Sequence, residues 1–145
     1  MAEVGVVVRD ATAADAGVLV GLLEQLGYPA SGDRIAERLH QLSVSSADRV
    51  FVAEVDGATA GLASMQIGLA IERDWPVAKL SALVVDERFR HRGVGQALVA
   101  AVEAEARRRG CGFVFLTSAN RRADAHAFYR RLGYDETGRR FVKSL

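Results

Sequence analysis

Residues 83–96 read LVVDERFRHRGVGQ and join the end of a short apolar run to a long alanine-rich segment. The apolar run, residues 80–85, predicts a buried strand, and the alanine-rich segment predicts a helix. Glycines just before a helix let the backbone approach a ligand closely, and the first N–H groups of the helix have no intrahelical partner. With the helix dipole behind them and three arginines in the same turn, these N–H groups predict an anion site that suits a pyrophosphate.

Two other glycine-rich phosphate motifs do not fit this turn. The dinucleotide fingerprint requires a third glycine three residues later, where this chain has Leu98. A P-loop requires a Gly-Lys-Ser or Gly-Lys-Thr ending, which is absent here. The spacing Arg90-x-x-Gly93-x-Gly95 after a strand instead resembles the acetyl-CoA motif of the GCN5-related N-acetyltransferases, the GNAT family.

The resemblance implies that the strand end and the turn bind acetyl-CoA. The cofactor-binding residues that it assigns in this part of the chain are Leu83, Val84, Val85, Arg90, His91, Arg92, Gly93, Val94, Gly95 and Gln96. The strand end would pair with the pantetheine amides, and a backbone N–H near Val85 would polarise the thioester carbonyl. The N–H groups of residues 91–96 would hold the pyrophosphate.

A second motif, residues 124–134, reads DAHAFYRRLGY and resembles the C-terminal signature of the same family. On a helix, Tyr129 is rotated by about 100° from Phe128, so the two rings point to different surfaces. The resemblance implies that Tyr129 is the catalytic residue, a general acid that protonates the departing CoA thiolate. It also implies cofactor contacts for His126 and Asn120. The alternative for Tyr129 is a packing residue whose hydroxyl meets water or a carbonyl.

The order of predicted elements is β-α-α-β-β-β-α-β-α-β in a single domain, residues 1–145. The Asp56-Gly57 pair predicts a two-residue hairpin turn, and residues 141–142 predict a last short strand. The order matches the family, which implies an α/β fold. We expect a mixed, mostly antiparallel sheet of six to seven strands with a central splayed parallel pair, flanked by about four helices.

Composition excludes several classes of function. A formal net charge of +1 in 145 residues indicates no general affinity for nucleic acid or membranes, and no nucleic-acid-binding motif is present. The only cysteine, Cys111, cannot form an intrachain disulfide. The three histidines lack the spacing of metal ligands, so no metal is expected. Without a secretory leader or a long apolar run, the chain is predicted to be cytoplasmic.

The resemblance implies transfer of an acetyl group from acetyl-CoA to a primary amine of a small molecule, by direct attack in a ternary complex. The acceptor would bind between the first two helices, residues 26–42, and the loop 68–76, with Trp75 as one wall. Arg73 and Lys79 would suit an anionic acceptor, as in the aminoalkylphosphonate acetyltransferases, which the C-terminal residues also resemble. Many members carry a glutamate on the strand before the turn. This chain has Lys79, Ser81 and Ala82 there, which leaves the general base unassigned.

Two alternatives remain open at this point. The same fold can serve as a non-catalytic sensor or regulator that binds acyl-CoA. The lack of an assigned general base leaves this alternative open. The acceptor can also be a protein or peptide amine. Dimers are common in the family, so a homodimer is expected.

Overall fold

The computed structural model describes residues 5–118 and 123–145, and backbone contacts divide the chain into two units, Met1–Phe115 and Leu116–Leu145. The first unit contains five strands and three α-helices, and the second contains one α-helix. In chain order the elements are β1 (Val6–Asp10), α1 (Ala16–Leu26), α2 (Gly32–Ser43), β2 (Asp48–Val55), β3 (Ala58–Gly68), β4 (Val77–Val85), α3 (Val94–Arg108), β5 (Val114–Phe115) and α4 (Ala123–Arg131). Short 3-10 turns precede α1 at Ala13–Asp15 and follow β4 at Glu87–Phe89.

The five strands form one mixed sheet in the order β1-β2-β3-β4-β5. Every neighbouring pair is antiparallel except β4 and β5, which are parallel. Asp56 and Gly57, with φ of 50° and 82°, form the predicted two-residue turn between β2 and β3. The predicted α/β fold, with its parallel pair and four α-helices, is confirmed.

The described residues form five strands rather than the six to seven predicted, and the prediction of a strand at residues 141–142 is wrong. Phe141 and Val142 are 91% and 69% exposed and pair with no strand of the described chain. Two apolar residues between basic ones bury too little surface to hold a strand in place. The strand between α3 and α4 is also short and covers only Val114–Phe115.

The short β5 leaves most of β4 uncovered on one side. Ala78 and Lys79 pair with Val114 and Phe115, and the rest of β4 has no partner on that side in the described chain. A bulge also interrupts β4, because Leu80 and Ala82 pair with consecutive residues of β3 and leave Ser81 as the extra residue. A bulge bends a strand and increases its twist, and Ser81 lies two residues beyond Lys79, the last residue of β4 that pairs with β5.

Apolar layers cover both faces of the sheet. On one face α1 and α2 pack against the central strands through Leu19, Leu22, Ile35, Leu39, Val52, Leu62 and Val84. On the other face α3 lies directly on β3 at Gly61, where an added Cβ would stand 2.9 Å from Leu98 and 3.0 Å from Val94. Because Gly61 has no side chain, the first turn of α3 reaches the sheet beside the end of β4.

A buried carboxylate ties the far end of α3 to the sheet. Glu105, only 6% exposed, accepts a hydrogen bond at 2.8 Å from Arg108 and pairs at 2.9 Å with Arg49 of β2. The hydrogen bond from Arg108 is the main reason why the pKa of Glu105 lies below its ordinary value, since burial acts in the opposite direction. Glu105 therefore stays ionised in the folded protein at neutral pH.

Candidate active site

Asp86 fixes the start of the turn that joins β4 to α3. Its carboxylate accepts hydrogen bonds from the backbone N–H and the guanidinium of Arg88, both at 2.9 Å, and its own N–H donates to Ala60 at 2.8 Å. The bond from the Arg88 side chain is the largest cause of a lowered pKa at Asp86. The amide oxygen of Gln25 on α1 also accepts from the backbone N–H of Glu87 at 3.0 Å. Sequence reasoning missed Asp86, although an aspartate directly after a buried strand is a typical turn-capping signal.

The backbone of the turn is left-handed at two places. His91 has a φ of 65°, which is uncommon for a residue other than glycine, and Gly93 has a φ of 80°. Gly93 precedes the first residue of α3, and its carbonyl accepts from Ala97 N–H at 3.0 Å. No side chain of the described residues caps this helix end. The N–H groups of Val94, Gly95 and Gln96 thus have no intrahelical acceptor, as expected for an anion site.

Positive charge surrounds the same helix end. Arg90, His91, Arg92 and Gln96 are exposed, and no carboxylate in residues 5–118 or 123–145 pairs with Arg90 or Arg92. Arg88 differs, because Asp86 neutralises it. The guanidinium of Arg92 lies 5.7 Å from the centre of the Phe89 ring, which holds it at the turn.

The predicted cofactor residues of β4 and α3 present different groups. Val84 and Val94 have buried side chains, at 8% and 1% exposure, so only their backbone is available to a ligand. Leu83 and Val85 are half-buried on the part of β4 that β5 leaves unpaired. An unpaired strand edge offers alternating N–H and C=O groups, which match the amides of an extended chain such as pantetheine.

A polar row crosses the sheet on the face that α2 only partly covers. Asp48 of β2 pairs in register with Gln66 of β3, Gln66 with Lys79 of β4, and Lys79 with Phe115 of β5. Residues directly opposite each other on neighbouring strands point to the same face, with Cβ atoms about 5 Å apart. The row therefore places a carboxylate, an amide, an ammonium group and an aromatic ring side by side.

Two cavities, of about 260 and 200 Å³, lie along this row, and both are lined by Gln66 and Lys79. The larger one also contains Asp48, Ser64 and Ser81. We call these two cavities the sheet cleft. From the regions predicted to bind the acceptor, only Leu42 and Gly68 line it. Sequence reasoning missed Asp48 and Gln66, because strand register was needed to bring them beside Lys79.

Aromatic rings support the Phe115 end of the sheet cleft. Phe115 packs edge-on against Phe113 at 6.2 Å, and Phe113 packs against Trp75 at 5.4 Å. Arg73 stacks on Trp75 and Phe113 at 5.1 and 4.9 Å. A Cβ at position 112 would lie 2.1 Å from the Trp75 ring, so the ring requires Gly112 beneath it. Trp75 therefore packs against Phe113 and does not itself line the sheet cleft.

The second unit carries the predicted general acid. The ring of Tyr129 on α4 lies edge-on to Phe128 at 5.2 Å and to Tyr134 at 5.9 Å, so its orientation is held from two sides. Helix α4 ends at Arg131, and the N–H groups of Leu132 and Tyr134 just beyond it donate to the Tyr129 carbonyl at 3.1 and 3.0 Å. His126 is half-buried on the same helix. Asn120 lies outside the described residues.

The described residues contain no group of three histidine, cysteine, aspartate or glutamate side chains that could hold a metal. None of the helices found in them is long and apolar enough to cross a membrane. The thiol of Cys111 is half-buried, and this burial raises its pKa above the ordinary value.

Comparisons with known proteins identify the family of this chain. Residues 18–134 match the model of the acetyltransferase (GNAT) family. An aminoglycoside N(6')-acetyltransferase of Stenotrophomonas maltophilia is 34% identical over 140 residues, 91% of this chain and 88% of that protein. An aminoalkylphosphonate N-acetyltransferase of Salmonella typhimurium is 30% identical over 142 residues, 94% of this chain and 90% of that protein.

The fold is also found among solved structures. An aminoglycoside N-acetyltransferase solved with CoA superposes with a TM-score of 0.84 at 24% identity, covering 97% of this chain and 94% of that one. The relatives are named as N-acetyltransferases, and the family depends on acyl-CoA, which confirms the predicted type of enzyme. The chain belongs to the GNAT family of acetyltransferases.

Proposed function

We propose that the protein transfers the acetyl group of acetyl-CoA to the primary amine of a small molecule by direct attack in a ternary complex. Residues 1–145 would act as one N-acetyltransferase domain. The observation that carries the proposal is the uncapped N-terminus of α3, which is joined by the turn of residues 86–93 to the unpaired end of β4. The two curated relatives support the acceptor class, since both are named for small amines.

Backbone groups would do most of the cofactor binding. The N–H groups of Val94, Gly95 and Gln96 would hold the pyrophosphate, with added charge from Arg90 and Arg92. The edge of β4 at residues 83–85 would pair with the pantetheine amides, and an N–H near Val85 would stabilise the developing oxyanion. His91, His126 and Asn120 would add contacts. Acetyl-CoA supplies the acetyl group as an activated thioester.

Direct transfer is favoured over an acetyl-cysteine route. Cys111 is the only cysteine of the chain, and burial raises the pKa of its thiol. The thiolate, not the thiol, is the nucleophile, so Cys111 is poorly suited to accept the acetyl group. The acceptor amine itself would attack the thioester carbon, and the C–S bond would then break.

Two proton transfers accompany this step. An alkylammonium acceptor with a pKa near 10.4 is neutral in about one molecule in two thousand at pH 7, equivalent to roughly 4.6 kcal/mol. Desolvation in the sheet cleft would recover part of this free energy, and a water chain would carry the proton away. Tyr129 would protonate the leaving thiolate, and the packing of its ring against Phe128 and Tyr134 supports a fixed donor.

A screen that follows thiol release from acetyl-CoA tests the proposal. It uses small primary amines, an aminoglycoside, an aminoalkylphosphonate and short peptides, each with and without the protein. We expect saturable release with at least one small amine and an N-acetylated product by mass spectrometry. Tight acetyl-CoA binding without any turnover would instead indicate a sensor. Turnover with peptides alone would indicate a peptide N-acetyltransferase. The predicted homodimer needs a separate test by sedimentation.

A further inference from the structure

We infer that the acceptor carries an acidic group, a carboxylate or a phosphonate, which binds Lys79 in the sheet cleft. This inference rests on the proposed function and narrows its acceptor to amines with a negative charge. A polycationic acceptor would instead be repelled by the ammonium group of Lys79.

Lys79 stands out because of its position. It is half-buried on β4, the strand next to the edge strand β5, and it lines both cavities of the sheet cleft. Its cross-strand neighbours are Gln66 and Phe115, neither of which carries a charge. Within residues 5–118 and 123–145, no carboxylate lies within ion-pair distance of its ammonium group. A ligand with an acidic group can therefore pair with this ammonium group through a charge-assisted hydrogen bond.

The direction of the proposed cofactor path brings the reacting group toward Lys79. The turn at the end of β4 would hold the pyrophosphate, so the pantetheine would run back along β4 from Val85. Leu83 and Lys79 are four residues apart, which is about 13 Å along a strand. The bulge at Ser81 lies between them. An amine that meets the acetyl group near this bulge would have its other end beside Lys79, within the length of a small amino acid.

Asp48 adds a negative charge to the sheet cleft, at a fixed distance from the positive charge of Lys79. It lies two strands from Lys79, which is about 10 Å, and it accepts a hydrogen bond from Ser45 at 2.7 Å. Gln66 stands between the two charges and separates them. Arg49 of β2 also lines the larger cavity, but its guanidinium is already paired with Asp10 and Glu105. An acidic group on the ligand is therefore favoured at the β4 side of the cleft, next to the proposed reaction site, and disfavoured beside Asp48 at the β2 side.

The test compares four amines of similar size in the thiol-release assay: propylamine, β-alanine, 2-aminoethylphosphonate and 1,3-diaminopropane. For the wild-type enzyme we expect a higher kcat/KM for the two acids than for propylamine, with the diamine poorest. Lys79→Gln should raise KM for the acids about ten- to hundredfold, the range of one lost charge-assisted hydrogen bond, and leave propylamine unchanged. Lys79→Glu should reverse the order and favour the diamine. The better of the two acids tells whether carboxylate or phosphonate is preferred.

Arg107→Gln is the matched control, because it removes one positive charge from the exposed far end of α3. It should change no KM by more than a factor of two. Equal kcat/KM values for propylamine and the acids, with Lys79→Gln without effect, would overturn the inference and leave acetyl transfer intact. No turnover of any amine would overturn both. A uniform loss of kcat in Lys79→Gln, the same for all four amines, would make Lys79 part of the chemistry and contradict its role as an anion site.

Discussion

Replacing Gly93 with valine tests the proposed pyrophosphate site most directly. Gly93 has a φ of 80° and a ψ of 8°, so a β-branched residue there costs about 1–3 kcal/mol of folding free energy. Its side chain would also crowd the N–H groups that follow it. A hydrogen bond to a charged group contributes about 1.5–3 kcal/mol, and loss of one or more should weaken acetyl-CoA binding at least ten- to hundredfold.

Gly110→Val is the control for the backbone cost. Gly110 has a φ of 76° just beyond the other end of α3, and no described atom lies within 4 Å of an added Cβ. The two glycines are separated by roughly 25 Å along the helix. Urea unfolding would measure the stability of both variants, and calorimetry would measure acetyl-CoA affinity at a temperature where both are folded.

The two variants should lose similar stability, while only Gly93→Val should lose affinity for acetyl-CoA. A folded Gly93→Val protein that binds as tightly as the wild type would refute the assignment of the turn. Equal weakening in Gly110→Val would show that the effect follows from general destabilisation and not from the helix end.

Three further predictions concern other parts of the chain. Tyr129→Phe keeps the ring packing and should lower kcat about 10²-fold with acetyl-CoA affinity and Tm unchanged; a wild-type kcat would make Tyr129 a packing residue. Replacing the three charged residues of 72–74 with alanine should alter KM for the best amine, because Arg73 supports the aromatic wall of the sheet cleft. A change in acetyl-CoA affinity alone would show instead that the loop belongs to the cofactor site. Glu105→Gln should lower the free energy of unfolding by about 1–3 kcal/mol at pH 7. The pKa of Glu105 is depressed, so its contribution is complete above the unfolded pKa and is lost as the pH falls through the folded one. The difference from wild type in urea unfolding should therefore shrink toward pH 3, and a constant difference would contradict the ion-pair explanation.

Local patterns of the sequence predicted the form of the turn that precedes α3. The glycines and arginines of residues 88–96 indicated an anion-binding helix start, and the structure has an uncapped α3 with Gly93 in the left-handed region. The leucines of residues 19–26 likewise recur at helical spacing, and α1 is found there, capped by Gly27 with a φ of 101°. These features depend on neighbours within one or two turns of the chain, so a single stretch of sequence contains enough information to predict them. The strand at residues 141–142 was wrong because its stability depends on a distant pairing partner.

The arrangement of the sheet cleft was decided only by the tertiary structure. Asp48, Gln66, Lys79 and Phe115 come from four different strands, and they form one row because three strand pairings have the required register. A shift of one residue in any of these pairings would send a side chain to the opposite face. The bulge at Ser81 is likewise visible only in the pairing of β3 with β4. Register is set by the combined packing of the whole sheet between its helices, which is why the sequence alone could suggest Lys79 but could not show what stands beside it.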